Sequence, residues 1–160
     1  MSSSTRLAAA AVPTALRSVE PYLDLMRSPR GRQPLRLDAG GLASLAGTER
    51  FEITPSGIPL FARDFLSDAA LLQRDHYDGM VDKYVENLGY PHTQEYMAYL
   101  DRELDAVLPA GSLGTVAELC CGRGEAARLL GPRMQRCVGV DVSAGMLEVA
   151  RRDLAEQRFF

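Results

Sequence analysis

The chain reads as an α/β protein, and three observations carry that expectation. Residues 115–157 run "TVAELCC", "GEAARLLGP", "RCVGVDV" and "SAGMLEVARRDLAEQ", a strand–helix–strand–helix order that requires a parallel sheet. Ahead of them, residues 66–108 carry apolar positions at spacings of three and four, the period of a helix. Earlier still, residues 33–62 alternate with period two around glycine and proline turns, which predicts a small β-rich unit.

From the N-terminus, "MSSSTRLAAAAVPTALRS" has no acidic residue before Glu20 and a short apolar run interrupted by Pro13. Residues 1–18 are therefore expected to be a flexible leader, with organelle targeting as the other reading. "VEPYLDLMRS" can make a short helix with Tyr22, Leu23 and Met26 on one side, ending near Pro29. "PLRLDAGGLASL" alternates Leu35 and Leu37 into an Ala39-Gly40-Gly41 turn, and "RFEITPSGIPLF" continues with Phe51 and Ile53, so residues 19–62 form one small β-rich module.

Residues 63–110 read as a helical segment. Gly79 is the weak point of "LSDAALLQRDHYDGMVDKYVENL", and "TQEYMAYLDRELDAVLP" places Tyr96, Tyr99, Leu100, Leu104, Val107 and Leu108 on one face until Pro109 and Gly111 stop it. Residues 111–160 then supply the first β-α-β-α of a parallel domain.

Composition narrows the function classes. With 18 basic and 21 acidic residues the net charge is -3, so there is no strong nucleic-acid signal and no reason to expect an anionic membrane as partner. No apolar run approaches the roughly 20 residues that span a bilayer. The three cysteines, Cys120, Cys121 and Cys137, form neither an even disulfide set nor a CxxC pair, which fits a cytoplasmic setting.

The chemistry concentrates in "VAELCCGRGEAARLL". A strand that ends in small residues and opens into a helix lets a ligand lie against bare backbone, and Gly122 and Gly124 supply that bareness. Asp141 follows Gly124 by 17 residues, at the end of the next strand, where an acid can accept hydrogen bonds from ribose hydroxyls. Gly122, Gly124 and Ala127 also satisfy a GxGxxA dinucleotide pattern, so an NAD(P)-dependent oxidoreductase is the alternative. Against it, Glu118 stands inside the first strand, where an apolar residue is usual, and its carboxylate could meet a cationic amino group. Paired with an arginine at the sheet edge, Glu118 would instead be structural. Ser143 can cap the helix of "GVDVSAGMLEVAR", and Met146 on its first turn would point toward an adenine or simply pack in the core.

Together "ELCCGRGE" and "GVDVSAGMLEVAR" resemble the first two motifs of the class I S-adenosylmethionine-dependent methyltransferases. The resemblance implies the N-terminal part of a Rossmann-like methyltransferase sheet, preceded by helices and the small β-rich module. It implies S-adenosylmethionine as cofactor: Glu118 and the turn of Cys120, Gly122 and Gly124 would hold the methionine moiety, Asp141 the ribose and Met146 one adenine face. Cys120 stands where the family's first glycine is usual. "HYDGMVDKYVENL" resembles the helix that lies over the cofactor in many of these enzymes, with Tyr77 in the matching place or, equally, as helix packing. A sheet of this family has seven strands and the chain supplies two, so the expectation is an incomplete domain, one part of a split enzyme, or a non-catalytic accessory subunit completing a second chain's sheet. The methyl acceptor is expected to be a small molecule. No catalytic residue can be assigned; His76 and His92 qualify by residue type alone.

Residues 25–61 resemble the zinc-ribbon-like module found ahead of some of these enzymes. At the four ligand positions stand Ser28, Gly31, Ser44 and Gly47, which cannot supply the thiolates that structural zinc needs, so no metal is expected.

Overall fold

The computed structural model describes residues 14–62 and 66–155, in two compact units that meet in sequence at Phe61 and Ala62. The leader expected over residues 1–18 lies outside the described residues as far as residue 13; Thr14–Val19 is helix α1.

In the first unit, α1 runs into a 3-10 helix over Glu20–Leu25, and Leu16, Val19, Tyr22 and Met26 are buried. Strands β1 (Leu35–Asp38), β2 (Gly41–Ser44) and β3 (Arg50–Glu52) make an antiparallel sheet in the order β1-β2-β3. Leu37 pairs with Leu42 and Asp38 with Gly41, so the turn is Ala39-Gly40 and Gly41 already belongs to β2, one residue earlier than the run of glycines suggests. Leu35, Leu42, Ala43, Phe51 and Ile58 form the apolar interior, and the Phe51 and Phe61 rings meet edge to face at 5.0 Å.

The second unit begins with α2 (Asp68–Asp78), which Ser67 caps by accepting the Ala70 N–H, and α3 (Val81–Asn87). The break between them falls at Gly79 and Met80. Helix α4 (Pro91–Val107) starts on its proline, whose missing N–H is harmless in a first turn. Its expected single apolar face is divided. Leu104 and Leu108 pack on the core, whereas Tyr96, Tyr99 and Val107 are exposed.

Strand β4 (Gly114–Leu119), α5 (Glu125–Leu130), β5 (Met134–Val140) and α6 (Ala144–Asp153) follow, with β4 and β5 parallel and a short 3-10 turn, Gly131–Arg133, between α5 and β5. Cys121, Ala127, Leu130, Met134, Cys137, Ala150 and Leu154 form the core, joined by Leu113, Val116 and Leu147. One face of the strand pair is covered and the other is open, so alternate β4 residues are exposed, Leu119 to 75% and Val140 of β5 to 50%. Helix α6 ends near Asp153, short of the expected Gln157, which lies outside the described residues. The second unit is thus an α/β arrangement with a two-stranded parallel sheet.

Candidate functional site

Beyond the carboxyl ends of β4 and β5 the backbone turns sharply. Cys120 (φ 54°), Gly122 (φ 52°) and Gly124 (φ 76°) all adopt left-handed conformations, which glycine takes without steric cost and cysteine does not. The turn is closed by the Gly124 N–H donating to the Cys121 carbonyl at 2.6 Å, and Cys121 still donates to Val140 across the sheet.

Asp141 pins this turn to the end of β5. Its Oδ2 accepts the Gly122 N–H at 2.9 Å and its Oδ1 accepts the Ser143 N–H at 2.9 Å. Each carboxylate oxygen keeps a further lone pair for another donor. Ser143, fully buried, accepts the Met146 N–H at 3.1 Å and so caps α6, which sets Met146 on its first turn.

These elements, with α2 and α3, enclose a cleft of about 380 Å³ lined by Tyr77, Tyr84, Cys120, Gly122, Arg123, Glu125, Asp141, Val142 and Met146. That volume lies within the range of small-molecule sites. Of the residues singled out from sequence, Tyr77, Cys120, Gly122, Asp141 and Met146 come together on its wall. Glu118 and Gly124 do not line it. The Glu118 carboxylate turns instead to the start of α5, where it accepts the N–H groups of Ala126 (3.0 Å) and Ala127 (2.9 Å), and among the described residues it pairs with no arginine. Burial pushes the Glu118 pKa up, opposed by those two N–H groups and reinforced by the charge of Glu125. The His76 ring meets Tyr77 edge to face and the His92 ring lies tilted against Tyr90, and neither histidine lines the cleft.

Sequence reasoning passed over Arg123, Tyr84 and Glu125. Arg123 is buried, donates to the Tyr84 carbonyl and, through Nε (3.0 Å) and Nη2 (2.7 Å), to Glu125 Oε1, and lies 5.8 Å from the Tyr84 ring centroid. The Tyr77 and Tyr84 rings meet edge to face at 5.9 Å, and burial raises the Tyr84 pKa, with Tyr77 beside it adding to the effect.

The first unit shows how serine serves where thiols were expected to be lost. Ser28 and Ser44 are both buried. Ser28 Oγ accepts the Gln33 N–H and Ser44 Oγ the Glu49 N–H, each at 3.1 Å. Glu49 in turn accepts from the Arg30 and Gly31 backbones at 3.1 and 3.0 Å. Among the described residues, no group of three or more His, Cys, Asp or Glu could hold a metal ion, and no helix is long and apolar enough to cross a membrane.

A family described as a methyltransferase domain matches residues 116–159. The trans-aconitate 2-methyltransferase of Rhodopseudomonas palustris (strain HaA2) is 39% identical over 74 residues, which is 41% of this chain and 29% of that protein. The chain therefore spans less than a third of that relative's length. Among solved structures, the DhpI–SAM–HEP complex aligns with TM-score 0.44 and 24% identity over 59% of this chain and 44% of the other. Haemonchus contortus phosphoethanolamine N-methyltransferase 1, in complex with phosphoethanolamine and S-adenosylhomocysteine, aligns with TM-score 0.41 and 17% identity over 62% of this chain and 22% of the other. Residues 116–159 thus match a methyltransferase domain, in line with the resemblance of the motifs around Gly122 and Asp141 to the class I S-adenosylmethionine-dependent enzymes.

Proposed function

We propose that the cleft binds S-adenosylmethionine and that the chain belongs to an enzyme transferring its methyl group to a small-molecule acceptor. The observation that carries the choice of cofactor is the position of Glu118. A dinucleotide rests its pyrophosphate on the free N–H groups of the helix that follows the glycine turn. Here two of those N–H groups are taken by the Glu118 carboxylate, whose negative charge would repel a phosphate. A ligand without phosphate, carrying a cationic sulfonium and amino group, meets no such repulsion.

The residues present fit such a ligand. Asp141 offers its spare lone pairs to the ribose hydroxyls, Met146 and Tyr77 flank the adenine and its neighbourhood, and Cys120, Gly122 and Gly124 keep the backbone low beneath the methionine moiety. Glu118, though off the wall, holds the turn in register and adds a negative potential behind it. When bound, the cofactor supplies an electrophilic methyl group on sulfur for in-line displacement by a nucleophile. The protein's part is to orient the two reactants and exclude water. The identity to a trans-aconitate 2-methyltransferase and the net charge of -3 support a small acceptor over a nucleic acid. The three free cysteines support a cytoplasmic setting. The open sheet face bearing Leu119 and Val140 supports a catalytic form completed by further β-α units, in the same polypeptide or in a second chain.

Isothermal titration of the protein with S-adenosylmethionine, S-adenosylhomocysteine, NAD and NADP tests the reading. Binding of the first two and not the nucleotides is expected; tight NAD(P) binding without S-adenosylmethionine binding would replace it with the oxidoreductase.

A further inference from the structure

Asp78 is the last residue of α2, adjacent to Tyr77, and it takes no part in lining the cleft. Its Oδ1 nevertheless accepts two hydrogen bonds from the start of α6, one from the Ser143 hydroxyl and one from the Gly145 N–H at 3.1 Å. Ser143 is the same residue whose N–H is held by Asp141, and Asp141 also holds Gly122. A continuous chain of hydrogen bonds therefore runs from the glycine turn through Asp141 and Ser143 to the end of α2. Gly145 makes the approach possible: a Cβ there would come within 2.9 Å of Val81 Cγ2 and 3.1 Å of Asp78 Oδ1.

We propose that Asp78 is a positioning residue, the latch that fixes α2 on the N-terminus of α6 and thereby holds Tyr77 over the cofactor. The inference rests on the cleft being the S-adenosylmethionine site, and it adds a residue that never touches the ligand. Its physical basis is that α2 has no fully buried residue, and only Ala70, Leu71, Arg74 and Tyr77 are half-buried. An amphipathic helix normally docks by burying an apolar face; with so shallow a one, α2 draws on its polar tie for a fixed position. The two donors it satisfies would otherwise be an orphaned helix-start N–H and a buried hydroxyl. Asparagine at position 78 keeps the accepting oxygen and should keep the latch, whereas alanine removes it. Gly145→Ala approaches the same contact from the other side. It raises helix propensity, so any loss it causes comes from pushing α2 away and not from melting α6.

Hydrogen exchange and titration on the full chain separate the outcomes. In Asp78→Ala and Gly145→Ala, amides of residues 68–78 should exchange at least tenfold faster in the free protein while β4 and β5 keep their rates. The Kd for S-adenosylmethionine should rise about five- to tenfold, and Asp78→Asn should stay within about twofold of the parent in both readouts. Unchanged exchange in α2 for both variants would overturn the latch. Faster exchange with an unchanged Kd would overturn the positioning role. If the parent protein binds no S-adenosylmethionine, the reading of the cleft fails, and the exchange of α2 still decides the latch by itself.

Discussion

Glu118 Oε2 accepts the Ala127 N–H at 2.9 Å, so an acid in a strand caps the helix that follows it. Replacing Glu118 by Gln keeps the shape but turns an amide NH2 toward a backbone N–H, losing one of the two bonds; a cost of about 1–3 kcal/mol is expected. The pH dependence has a definite sign. Because burial raises the pKa of Glu118, the fold holds its proton more tightly than the unfolded chain does. Stability contributed by that proton is present below the unfolded value, about 4.3, and declines as pH rises through the folded one. Urea melts of the parent and Glu118→Gln across this window should show the parent's advantage shrinking with rising pH. A pH-independent difference would contradict the assigned burial.

Asp141 makes a different prediction because its two bonds tie the glycine turn to α6. Asp141→Ala leaves the Gly122 and Ser143 N–H groups without their acceptor and removes the oxygens offered to ribose. A loss of about 1–3 kcal/mol in stability is expected, with at least about a tenfold weaker affinity for S-adenosylmethionine. Asp141→Asn, which keeps one accepting oxygen, should lie between. Thermal melts and calorimetry on the same samples check both, and undiminished affinity in Asp141→Ala would remove this carboxylate from the ligand's contacts.

What could be foreseen from sequence was local. The change of period from two to 3.6 located the β-rich module and the helices, and Gly79 marked the break between α2 and α3. The strand–turn–helix around Gly122 was legible because glycine spacing and an acid at the next strand end are short-range signals. Arg123 was not. Between two glycines it reads as a solvated side chain, and only the fold brings it to the Tyr84 carbonyl, 39 residues away. Glu118 had a charge that could be read and a direction that could not, since the strand alone does not say whether its carboxylate faces a ligand or the next helix. The division of α4 was hidden for the same reason: periodicity marks an apolar stripe without saying how much of it a neighbour covers.

In the first unit, Glu49 is a source of acid sensitivity beside Asp38, whose pKa is lowered chiefly by the Ala39 N–H. The Ser28 hydroxyl and the Arg30 and Gly31 N–H groups stabilise the Glu49 carboxylate, so its pKa is lowered. A depressed acid contributes stability above its unfolded value and loses it as pH falls through the folded one. Acidification from neutral should therefore loosen residues 28–49, read as lower amide protection factors there once the intrinsic slowing of exchange in acid is divided out, and Glu49→Gln should already show lower protection at neutral pH. Protection factors in that segment that do not respond to acid would show that the Ser28 and Ser44 turns hold without Glu49.

The three thiols should separate by reactivity. Cys121 and Cys137 are buried core residues whose pKa values are pushed up to about 12 and about 11. Few of their thiolates exist at neutral pH, and the thiolate is the reacting form. Cys120 is exposed and lines the cleft. Brief iodoacetamide treatment should label Cys120 alone, read by peptide mass spectrometry, and S-adenosylhomocysteine should slow it. Equal labelling of all three would mean that the core opens on the timescale of the reaction.

Cys120 also bears a backbone cost that its neighbours avoid. At φ 54° its Cβ crowds the adjacent carbonyl, a conformation costing about 1–2 kcal/mol for a residue other than glycine. Cys120→Gly removes that strain but gives the unfolded chain extra freedom worth roughly 0.5–1 kcal/mol. The difference predicts a gain between zero and about 1.5 kcal/mol in a denaturant melt. Cys120→Ala is the control, because it deletes the thiol and retains the strained Cβ. If the alanine variant gains as much as the glycine variant, the sulfur and not the backbone is what disfavours cysteine there. If only glycine gains, the turn that carries Gly122 and Gly124 is left-handed at Cys120 at a real energetic cost, which the pinning of Gly122 by Asp141 sustains.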